Sequence, residues 1–367
     1  MNVTIAAQPP PRARSRPVAA ALRDDDHEQI VIRQDPDTGL RLIVAVHSTV
    51  LGPALGGMRL KSYPGGLMEA LDDVMCLART MTLKASAAGL DLGGGKAVMI
   101  DDGRRDLRET RLTAAAGVIE ELGGAYVTAE DIGTTTADMD HMARFTRFCV
   151  GRSVRNGGGG DPSPLTAATV LEATRRGLAA HDGSGELDGR RVGLIGVGKV
   201  GGALATSLVD AGARVVVYDV DVLRCERFAA EHPGVEIAES AEAVLARQLD
   251  VLAPCAAGGL IDDSLARALD VRVVAGAANN PLSGGRVDRT LAQRDILYVP
   301  DFLANCGGLI HVALEWYAGR GGASESELVA GAMENLERAI VSSQRERHTP
   351  LEVAERQALE RVEAARR

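Results

Sequence analysis

Three glycines spaced as Gly-x-Gly-x-x-Gly limit what this chain of 367 residues can fold into more than any other feature. They directly follow an apolar run over residues 192–195 and open a stretch of helical spacing that ends near residue 211. In that context the glycines permit a tight turn from strand to helix and let a diphosphate approach the backbone, while the start of the helix offers free N–H groups. The pattern predicts a βα unit that binds a dinucleotide. The residues that we expect to line this turn are Gly196, Val197, Gly198, Lys199, Val200 and Gly201.

An acidic residue, Asp219, ends the next apolar run, over residues 215–218. A carboxylate at the end of the second strand of such a unit accepts hydrogen bonds from the hydroxyls of the adenine ribose and repels a 2′-phosphate. The sequence therefore favours NAD over NADP as the cofactor. The alternative, a βα turn with only a structural role, stays open on this pattern alone.

The order of apolar and helical stretches predicts an α/β protein with two domains around a cleft. Strands and helices alternate after residue 192, which is typical of a Rossmann-type doubly wound parallel sheet. A glycine-rich segment at residues 156–160, followed by Asp161 and Pro162, predicts the boundary between the domains. We expect a disordered tail over residues 1–26, an α/β substrate and oligomerisation domain over 27–155, an NAD-binding Rossmann domain over 156–330, and C-terminal helices over 331–367 that return to the first domain.

Within the first domain, apolar residues at helical spacing predict a helix over residues 67–84. The segment 52–59, with its glycines and proline, is predicted as a loop. The three glycines at 93–95 are predicted to interrupt the chain before a strand begins. Residues 125–128 are predicted as a further strand, with a loop over 129–133 at its end.

Composition excludes several classes of function. The formal net charge of −9 excludes a broad basic surface for nucleic acid or an anionic membrane, and no apolar run reaches the roughly 20 residues that span a bilayer. The five cysteines lie far apart, and no cluster of cysteine and histidine has the spacing of a metal site, so we expect a cytoplasmic protein without a metal. The basic residues of the tail leave a transit peptide as an alternative.

Lysine is scarce in this chain: only Lys61, Lys84, Lys96 and Lys199 occur, and arginine supplies the other basic side chains. Lys84 ends the predicted helix, Lys96 follows three glycines, and Asp131 stands just past a strand. A lysine that is desolvated or close to a second cation has a lowered pKa and acts as a base, and a neighbouring carboxylate can move protons. Spacing alone leaves two interpretations open, a joint catalytic site and separate surface charges.

Several motifs resemble, in their order along the chain, those of the Glu/Leu/Phe/Val dehydrogenase superfamily, and in particular its shorter leucine, valine and phenylalanine members. The glycine-rich segment 90–98, centred on Lys96, is similar to the lysine signature of that family, with Gly103 where proline or leucine is usual. The resemblance runs from about residue 29 to about residue 361. The other matching segments are 52–59, 128–134, 162–164, 253–256, 276–280 and 300–308.

The resemblance implies a role for each matching residue. Lys84 is similar to the lysine that binds the substrate α-carboxylate, Lys96 to the catalytic lysine that activates water, and Asp131 to the carboxylate that exchanges protons with the amino group. It further implies a homo-oligomeric enzyme in which NAD⁺ oxidises an L-amino acid to a 2-oxo acid and ammonium. The remaining residues implied to face the substrate or the nicotinamide are Leu55, Gly56, Gly57, Ala129, Asn305, Asn279 and Thr166.

Two positions bear on the identity of the substrate. Glutamate-specific relatives carry a lysine where this chain has Leu55, and a buried side-chain carboxylate without a cation is strongly disfavoured. Where phenylalanine enzymes often have glycine, Ala129 narrows the pocket by one methyl group, which favours valine or leucine by about 1–3 kcal/mol at most. An aromatic substrate and a non-catalytic NAD-binding paralogue remain the alternatives. Departures from the family pattern at Leu83, Cys306 and Leu314 flank the cleft.

Overall fold

The computed structural model describes residues 26–256 and 258–367, so the tail predicted over residues 1–26 lies outside the described residues except for Asp26. The described strands form two separate sheets, and helices cover their faces. The strands are β1 (Gln29–Asp35), β2 (Leu40–Ser48), β3 (Ala54–Lys61), β4 (Gly93–Ile100), β5 (Tyr126–Glu130), β6 (Arg191–Ile195), β7 (Arg214–Tyr218), β8 (Glu236–Ile237), β9 (Gln248–Pro254), β10 (Asp270–Val274) and β11 (Leu297–Tyr298). The helices are α1 (Leu67–Ala87), α2 (Arg108–Glu121), α3 (Thr136–Met142), α4 (Ser163–Asp182), α5 (Lys199–Asp210), α6 (Val222–Glu231), α7 (Ala241–Leu245), α8 (Asp263–Ala268), α9 (Val287–Gln293), α10 (Asp301–Ala304), α11 (Gly307–Tyr317), α12 (Glu325–Glu346) and α13 (Pro350–Ala365).

The first sheet is mixed, with the strand order β1-β2-β4-β3-β5. The pairs β1–β2 and β2–β4 are antiparallel, whereas β3 runs parallel to both β4 and β5. Every residue of β4 is buried, as a central strand covered on both faces requires. Helix α1 packs on one face, in a core that includes Ile43, Ala45 and Val98, and α2 contributes to the core on the opposite face.

The prediction of a loop over residues 52–59 is wrong, because most of this segment forms β3, an interior strand of the sheet. The glycines at 93–95, predicted to interrupt the chain, likewise belong to β4. A Cβ atom on Gly56 would stand 1.7 Å from the carbonyl oxygen of Gly95, and one on Gly95 would stand 2.7 Å from the ring of Tyr126. Glycine is therefore needed here for close approach of backbone and ring, which gives the same sequence pattern as a loop.

The second sheet is entirely parallel, with the order β11-β10-β9-β6-β7-β8. Counted along the chain from β6, its strands lie side by side as third, second, first, fourth, fifth and sixth, which is the doubly wound arrangement of dinucleotide-binding domains. The predicted fold class is confirmed. The direction of winding reverses between β6 and β9, and a crevice for a ligand forms at such a point. The two-residue strand β8 escaped prediction because so short a run has no periodicity.

The last helix, α13, touches elements of both halves of the chain. Arg361 on α13 donates to the carbonyl oxygen of Leu90, which precedes β4, over 2.7 Å. At the other end of α13, Glu352 pairs with Arg289 on α9, beside the second sheet. The helix thus holds the two sheets against each other. Among residues 26–256 and 258–367, no helix combines the length and the apolar character needed to span a bilayer.

Replacing Gly56 by alanine is expected to destabilise the first sheet. The added methyl group would overlap the carbonyl oxygen of Gly95, and overpacking of this kind costs about 1–3 kcal/mol or more. As a control, Gly117 lies exposed in α2 with nothing within 4 Å of an added Cβ, so Gly117→Ala should stabilise the protein by about 0.5–1 kcal/mol. Chemical unfolding measures both free energies. A Gly56→Ala protein as stable as the wild type would contradict the close contact.

Candidate active site

The register of β3, β4 and β5 brings three charged side chains to one face of the first sheet. Arg59 pairs with Val98 across β3 and β4, so it shares a face with Lys96, two residues earlier in β4. The pairing of β3 with β5 carries Asp131, just past the end of β5, to the level of Arg59. Helix α1 covers this face. The sheet therefore assembles charged residues that lie far apart in the sequence.

Lys96 and Asp131 form a largely buried ion pair. Their Nζ and Oδ2 atoms are 3.2 Å apart, and their side chains are only 7% and 20% exposed. Burial lowers the pKa of Lys96 and outweighs the opposing charge of Asp131, and the charge of Arg59 lowers this pKa further. Burial alone would raise the pKa of Asp131, but the charges of Lys96 and Arg59 hold it below its ordinary value. The pair combines a lysine that releases its proton readily with a carboxylate that stays ionised.

Arg59 is a residue of this site that the sequence analysis missed. Its Nε donates to Asp131 Oδ2 over 2.9 Å, and its Nη1 donates to Asp73 Oδ2 over 3.0 Å. The Tyr63 hydroxyl donates to the same oxygen of Asp73 over 2.6 Å. Arg59 lies in the segment predicted as a loop, and a loop gives its side chain no expected direction. Alternation along a strand would have placed it on the face of Gly57.

Lys84, in the last turn of α1, faces the second half of the molecule, which is the part built around the second sheet. Its Nζ donates to Asn279 Oδ1 over 3.4 Å, and Asn305 Nδ2 donates to the same oxygen over 3.0 Å. Asn305 also donates to the carbonyl oxygen of Ala277 over 3.1 Å, while its own Oδ1 is buried without a partner among the described residues. Burial lowers the pKa of Lys84, against the opposing charge of Asp301. Lys84, Asn279 and Asn305, all singled out from the sequence, thus meet between the two sheets. Among the described residues, Asn305 Oδ1 is left there as a buried acceptor without a donor.

The wall beside the ion pair consists of small and apolar residues. Leu55 and Ala129 are buried on β3 and β5, on the face that α1 covers. The prediction of a loop at Ala129 is wrong, because β5 extends one residue beyond it. A Cβ on Gly57 would stand 2.8 Å from the Cβ of Asp131, so this glycine lets the carboxylate come close to the sheet. The Cβ direction of Gly56 points to the opposite face.

The glycine turn after β6 leaves room for an anion. Gly196 has a φ of 105°, a conformation that favours glycine, and a Cβ on Gly201 would stand 1.9 Å from the carbonyl oxygen of Gly196. A Cβ on Gly198 would meet nothing within 4 Å, so the backbone is open on that side. Helix α5 begins at Lys199, and no described side chain caps its first N–H groups. The turn offers unused donors at the start of a 12-residue helix, as a diphosphate-binding turn requires.

Asp219 links the end of β7 to this turn. Its Oδ2 accepts a hydrogen bond from the N–H of Val197 over 2.8 Å, and its Oδ1 accepts one from the N–H of Asp221 over 2.9 Å. Each carboxylate oxygen keeps the capacity for a further donor. The negative charge of Asp219 is therefore fixed beside the glycine turn.

The other predicted cofactor residues lie around the turn and the cleft. Lys199 is 78% exposed, and its Nζ is 3.4 Å from Oδ2 of Asp161. The half-buried Val200 packs against the core. The Thr166 hydroxyl donates to the carbonyl oxygen of Pro162, just before its own helix, over 2.9 Å, and a Cβ on Gly308 would stand 2.9 Å from that hydroxyl. In the described part of the chain, none of these side chains forms a hydrogen bond with Lys84, Lys96 or Asp131.

Two models of protein families match the chain. The one described as Glu/Leu/Phe/Val dehydrogenase, dimerisation domain, matches residues 27–148. The one described as Glutamate/Leucine/Phenylalanine/Valine dehydrogenase matches residues 218–367. Together the two matches cover the first sheet and most of the second.

Individual dehydrogenases are similar to this chain over most of their length. Valine dehydrogenase from Streptomyces virginiae is 47% identical over 290 residues, which span 79% of this chain and 81% of that protein. Leucine dehydrogenase from Bacillus subtilis (strain 168) is 40% identical over 342 residues, 93% of each chain. Among solved structures, L-tryptophan dehydrogenase from Nostoc punctiforme superposes with a TM-score of 0.81 at 29% identity and covers 95% of this chain and 99% of that one. All three are amino-acid dehydrogenases, and their substrates differ in the side chain.

Lys84→Met is expected to stabilise the protein near neutral pH and so to raise its Tm. No described carboxylate lies within ion-pair distance of Lys84, and its lowered pKa means that protonation costs folding free energy below that pKa. The cost shrinks as the pH rises towards the ordinary lysine value of 10.5, so the gain in Tm should shrink as well. Thermal unfolding at neutral and alkaline pH measures the difference. Lys199→Met, at a side chain that is 78% exposed, should leave Tm unchanged. A lower Tm for Lys84→Met near neutral pH would contradict this account.

Proposed function

We propose a substrate and a cofactor for this chain, which belongs to the Glu/Leu/Phe/Val dehydrogenase family and is an amino-acid dehydrogenase acting on a CH–NH2 group. The chain oxidises a branched-chain L-amino acid, valine or leucine, with NAD⁺. The family resemblance that the motifs indicated is confirmed. Water is the second reactant, and the products are the 2-oxo acid, ammonium, NADH and a proton. The observation that carries the proposal is the largely buried pair of Lys96 and Asp131, 3.2 Å apart, close to a second lysine, the half-buried Lys84.

Lys84 binds the substrate α-carboxylate in this proposal. Its hydrogen bond to the neutral amide of Asn279 is long, at 3.4 Å. A carboxylate is a charge-assisted acceptor and makes a shorter and stronger hydrogen bond with an ammonium group than an amide does. Asn305, whose Oδ1 is buried and has no partner among the described residues, supplies an acceptor for an N–H group of the substrate or the nicotinamide.

Asp131 and Lys96 divide the proton transfers. Asp131, held ionised, takes a proton from the substrate ammonium group. The bound nicotinamide supplies the acceptor for the hydride that leaves Cα. Neutral Lys96 removes a proton from water as the water oxygen adds to the iminium carbon, and Asp131 returns its proton to the nitrogen. The new hydroxyl gives its proton to the departing ammonia, and Lys96 passes the proton that it took from water to solvent, so one ammonium and one free proton accompany each NADH.

Two buried residues support a branched aliphatic substrate. Leu55 provides no cation for a side-chain carboxylate, which disfavours glutamate. Ala129 lies on the same face and keeps a methyl group where glycine would leave space. The relatives named valine dehydrogenase and leucine dehydrogenase, at 47% and 40% identity, support the same substrate class.

The dinucleotide is proposed to bind at the glycine turn. The open side of Gly198 and the uncapped start of α5 fit a diphosphate. The fixed charge of Asp219 supports NAD over NADP, because it can accept hydrogen bonds from ribose hydroxyls and opposes a phosphate charge. Lys199 and Val200 complete the turn, and Thr166 and Asn279 are proposed to border the nicotinamide and its ribose.

The proposal extends to assembly and location. The family model that matches residues 27–148 is described as a dimerisation domain, and β1 forms an outer edge of the first sheet. Both observations support a homo-oligomer, since an exposed edge strand is a ready surface for pairing. The five cysteines are free, which supports the reducing cytoplasm as the location.

An aromatic L-amino acid is the second candidate substrate. L-tryptophan dehydrogenase from Nostoc punctiforme has the same fold over 95% of this chain. The preference for an aliphatic side chain depends largely on the methyl group of Ala129, which is worth about 1–3 kcal/mol at most. A panel of substrates decides between the two.

Purified protein mixed with NAD⁺ and single L-amino acids at alkaline pH should form NADH fastest with L-valine or L-leucine. L-Glutamate should react at least roughly 100-fold less efficiently in kcat/KM, because its side-chain carboxylate finds no cation. Lys96→Ala should lower kcat by about 10²–10⁴-fold, the range for loss of a general base. Lys61→Ala, at an exposed lysine, is the matched control and should retain activity. Faster turnover of L-phenylalanine or L-tryptophan would establish the aromatic alternative, and no NADH with any L-amino acid would refute the function.

Asp219→Ser is expected to relax the cofactor preference. Loss of hydrogen bonds to a charged acceptor costs about 1.5–3 kcal/mol, so the KM for NAD⁺ should rise roughly 10- to 100-fold. The KM for NADP⁺ should fall, because the charge that repels a 2′-phosphate is gone. Steady-state kinetics with both cofactors measures the two effects, and Asp221→Ser, two residues further on, is the control. An unchanged ratio between the cofactors would count against the role of Asp219.

A further inference from the structure

Arg59 stands between two carboxylates and is almost enclosed. Its Nε donates to Asp131 Oδ2 over 2.9 Å, and its Nη1 reaches both oxygens of Asp73, at 3.3 and 3.0 Å. The Arg59 side chain is only 13% exposed. Two different nitrogens serve two different carboxylates, which a planar guanidinium permits and a single ammonium group does not. Arg59 thus ties α1, which carries Asp73, to the segment that carries Asp131.

The contact with Arg59 makes the two oxygens of Asp131 unequal. Oδ2 receives Arg59 Nε at 2.9 Å and Lys96 Nζ at 3.2 Å. Within the described residues no hydrogen bond reaches Oδ1, and the side chain keeps 20% of its surface exposed. We propose that Arg59 is a positioning residue for the reaction, which holds Asp131 so that Oδ2 faces Lys96 and Oδ1 faces the substrate amino group. The inference rests on the proposed function, which assigns the proton transfers to Lys96 and Asp131.

Tyr63 and Gly57 support this arrangement from two sides. The Tyr63 hydroxyl donates to Asp73 Oδ2 over 2.6 Å and so fixes the carboxylate that holds Arg59. A Cβ at Gly57 would stand 2.8 Å from the Cβ of Asp131 and 2.5 Å from the carbonyl oxygen of Glu130. Glycine at this position therefore brings Asp131 within reach of Arg59.

The charges around Lys96 allow the contact between Arg59 and this site to be followed through the pKa of Lys96, beside the rate. Burial lowers the pKa of Lys96, Arg59 lowers it further, and Asp131 and Asp73 oppose them. Arg59 and Asp73 therefore act on Lys96 in opposite directions, although they are partners in one contact. The charged groups that act on Lys96 are Arg59 on β3, Asp73 and Lys84 on α1, and Asp131 after β5, and Tyr63, before α1, contacts Asp73 and Arg59.

The experiment compares Arg59→Gln, Asp73→Asn and Arg59→Lys with the wild type as full-length proteins. Arg59→Gln removes a like charge, so the acidic limb of kcat/KM for amino-acid oxidation should move up by roughly one pH unit. Asp73→Asn removes an opposing charge and should move the limb down. Arg59→Lys keeps the charge but cannot serve both carboxylates, so its limb should stay closer to the wild type while kcat falls roughly tenfold or more.

A second measurement follows the pKa of Lys96 without any turnover. The pH dependence of acylation of Lys96, measured by mass spectrometry, gives the midpoint directly, and the exposed Lys199 in the same sample is the reference. The midpoints of Arg59→Gln and Asp73→Asn should shift in the same opposite directions as the kinetic limbs. Arg190→Gln removes a comparable pair in the second half, where Arg190 and Asp182 are 17% and 23% exposed, and should shift neither quantity.

The outcomes separate this inference from the proposed function. Unshifted midpoints in both variants, shifts in the same direction, or a wild-type kcat in Arg59→Lys would overturn the positioning role of Arg59. If Arg59→Gln does not fold, the direction of the shift in Asp73→Asn decides the question. Failure of the proposed function looks different, because the wild type then forms no NADH with any L-amino acid while the acylation midpoints still report on Arg59.

Discussion

Strands β3 and β4 approach each other so closely at Gly56 that no side chain fits between it and the carbonyl oxygen of Gly95. The charged site depends on this contact, because it allows the register in which Arg59 shares a face with Lys96. A shift of the register by one residue would turn every side chain of β3 to the opposite face. Arg59 would then lie across the sheet from Asp131, and the ion pair would lose its second cation. The glycines of these strands therefore act on the site through the geometry of the sheet.

Charges held beneath α1 cost folding free energy, and the structure offsets much of the cost by alternating their signs. Lys96, Asp131, Arg59 and Asp73 form a chain in which each cation contacts at least one carboxylate. Removal of one member of such a chain leaves a buried charge without a partner, which typically costs about 3–5 kcal/mol. Lys84 is the exception, because its nearest partner in the described part of the chain is an amide. A lysine left in this state suits a position that a substrate carboxylate completes.

The second sheet could be predicted from the sequence because its patterns are local. The glycine turn, the strand before it and Asp219 after the next strand all lie within one βαβ unit, where chain order and spatial order coincide. The first half could not be predicted in the same way, because its contacts join β3, β4 and β5 across long stretches of sequence. The glycines and proline of residues 52–59 are typical of a loop, although most of this segment forms the interior strand β3. The position of Arg59 on that strand therefore could not be predicted. Lys84, Lys96 and Asp131 stand out by their positions in the sequence, but their roles come from the family resemblance, since their spacing leaves two interpretations open.

The two halves of the chain share a polar contact that bears directly on the proposed chemistry. Lys84 lies on α1 and Asn279 follows β10, so their 3.4 Å contact joins a helix of the first half to a loop of the second. That loop is held in turn by Asn305, which donates to Asn279 over 3.0 Å, and by Asp301, which accepts from the N–H of Asn280 over 2.7 Å. A carboxylate bound to Lys84 would replace the long bond to an amide by a charge-assisted one. Substrate binding and the contact between the two halves then depend on the same ammonium group. Under the proposed function, the bound amino acid would therefore also alter how the half with the glycine turn is held against the half that contains Lys96 and Asp131.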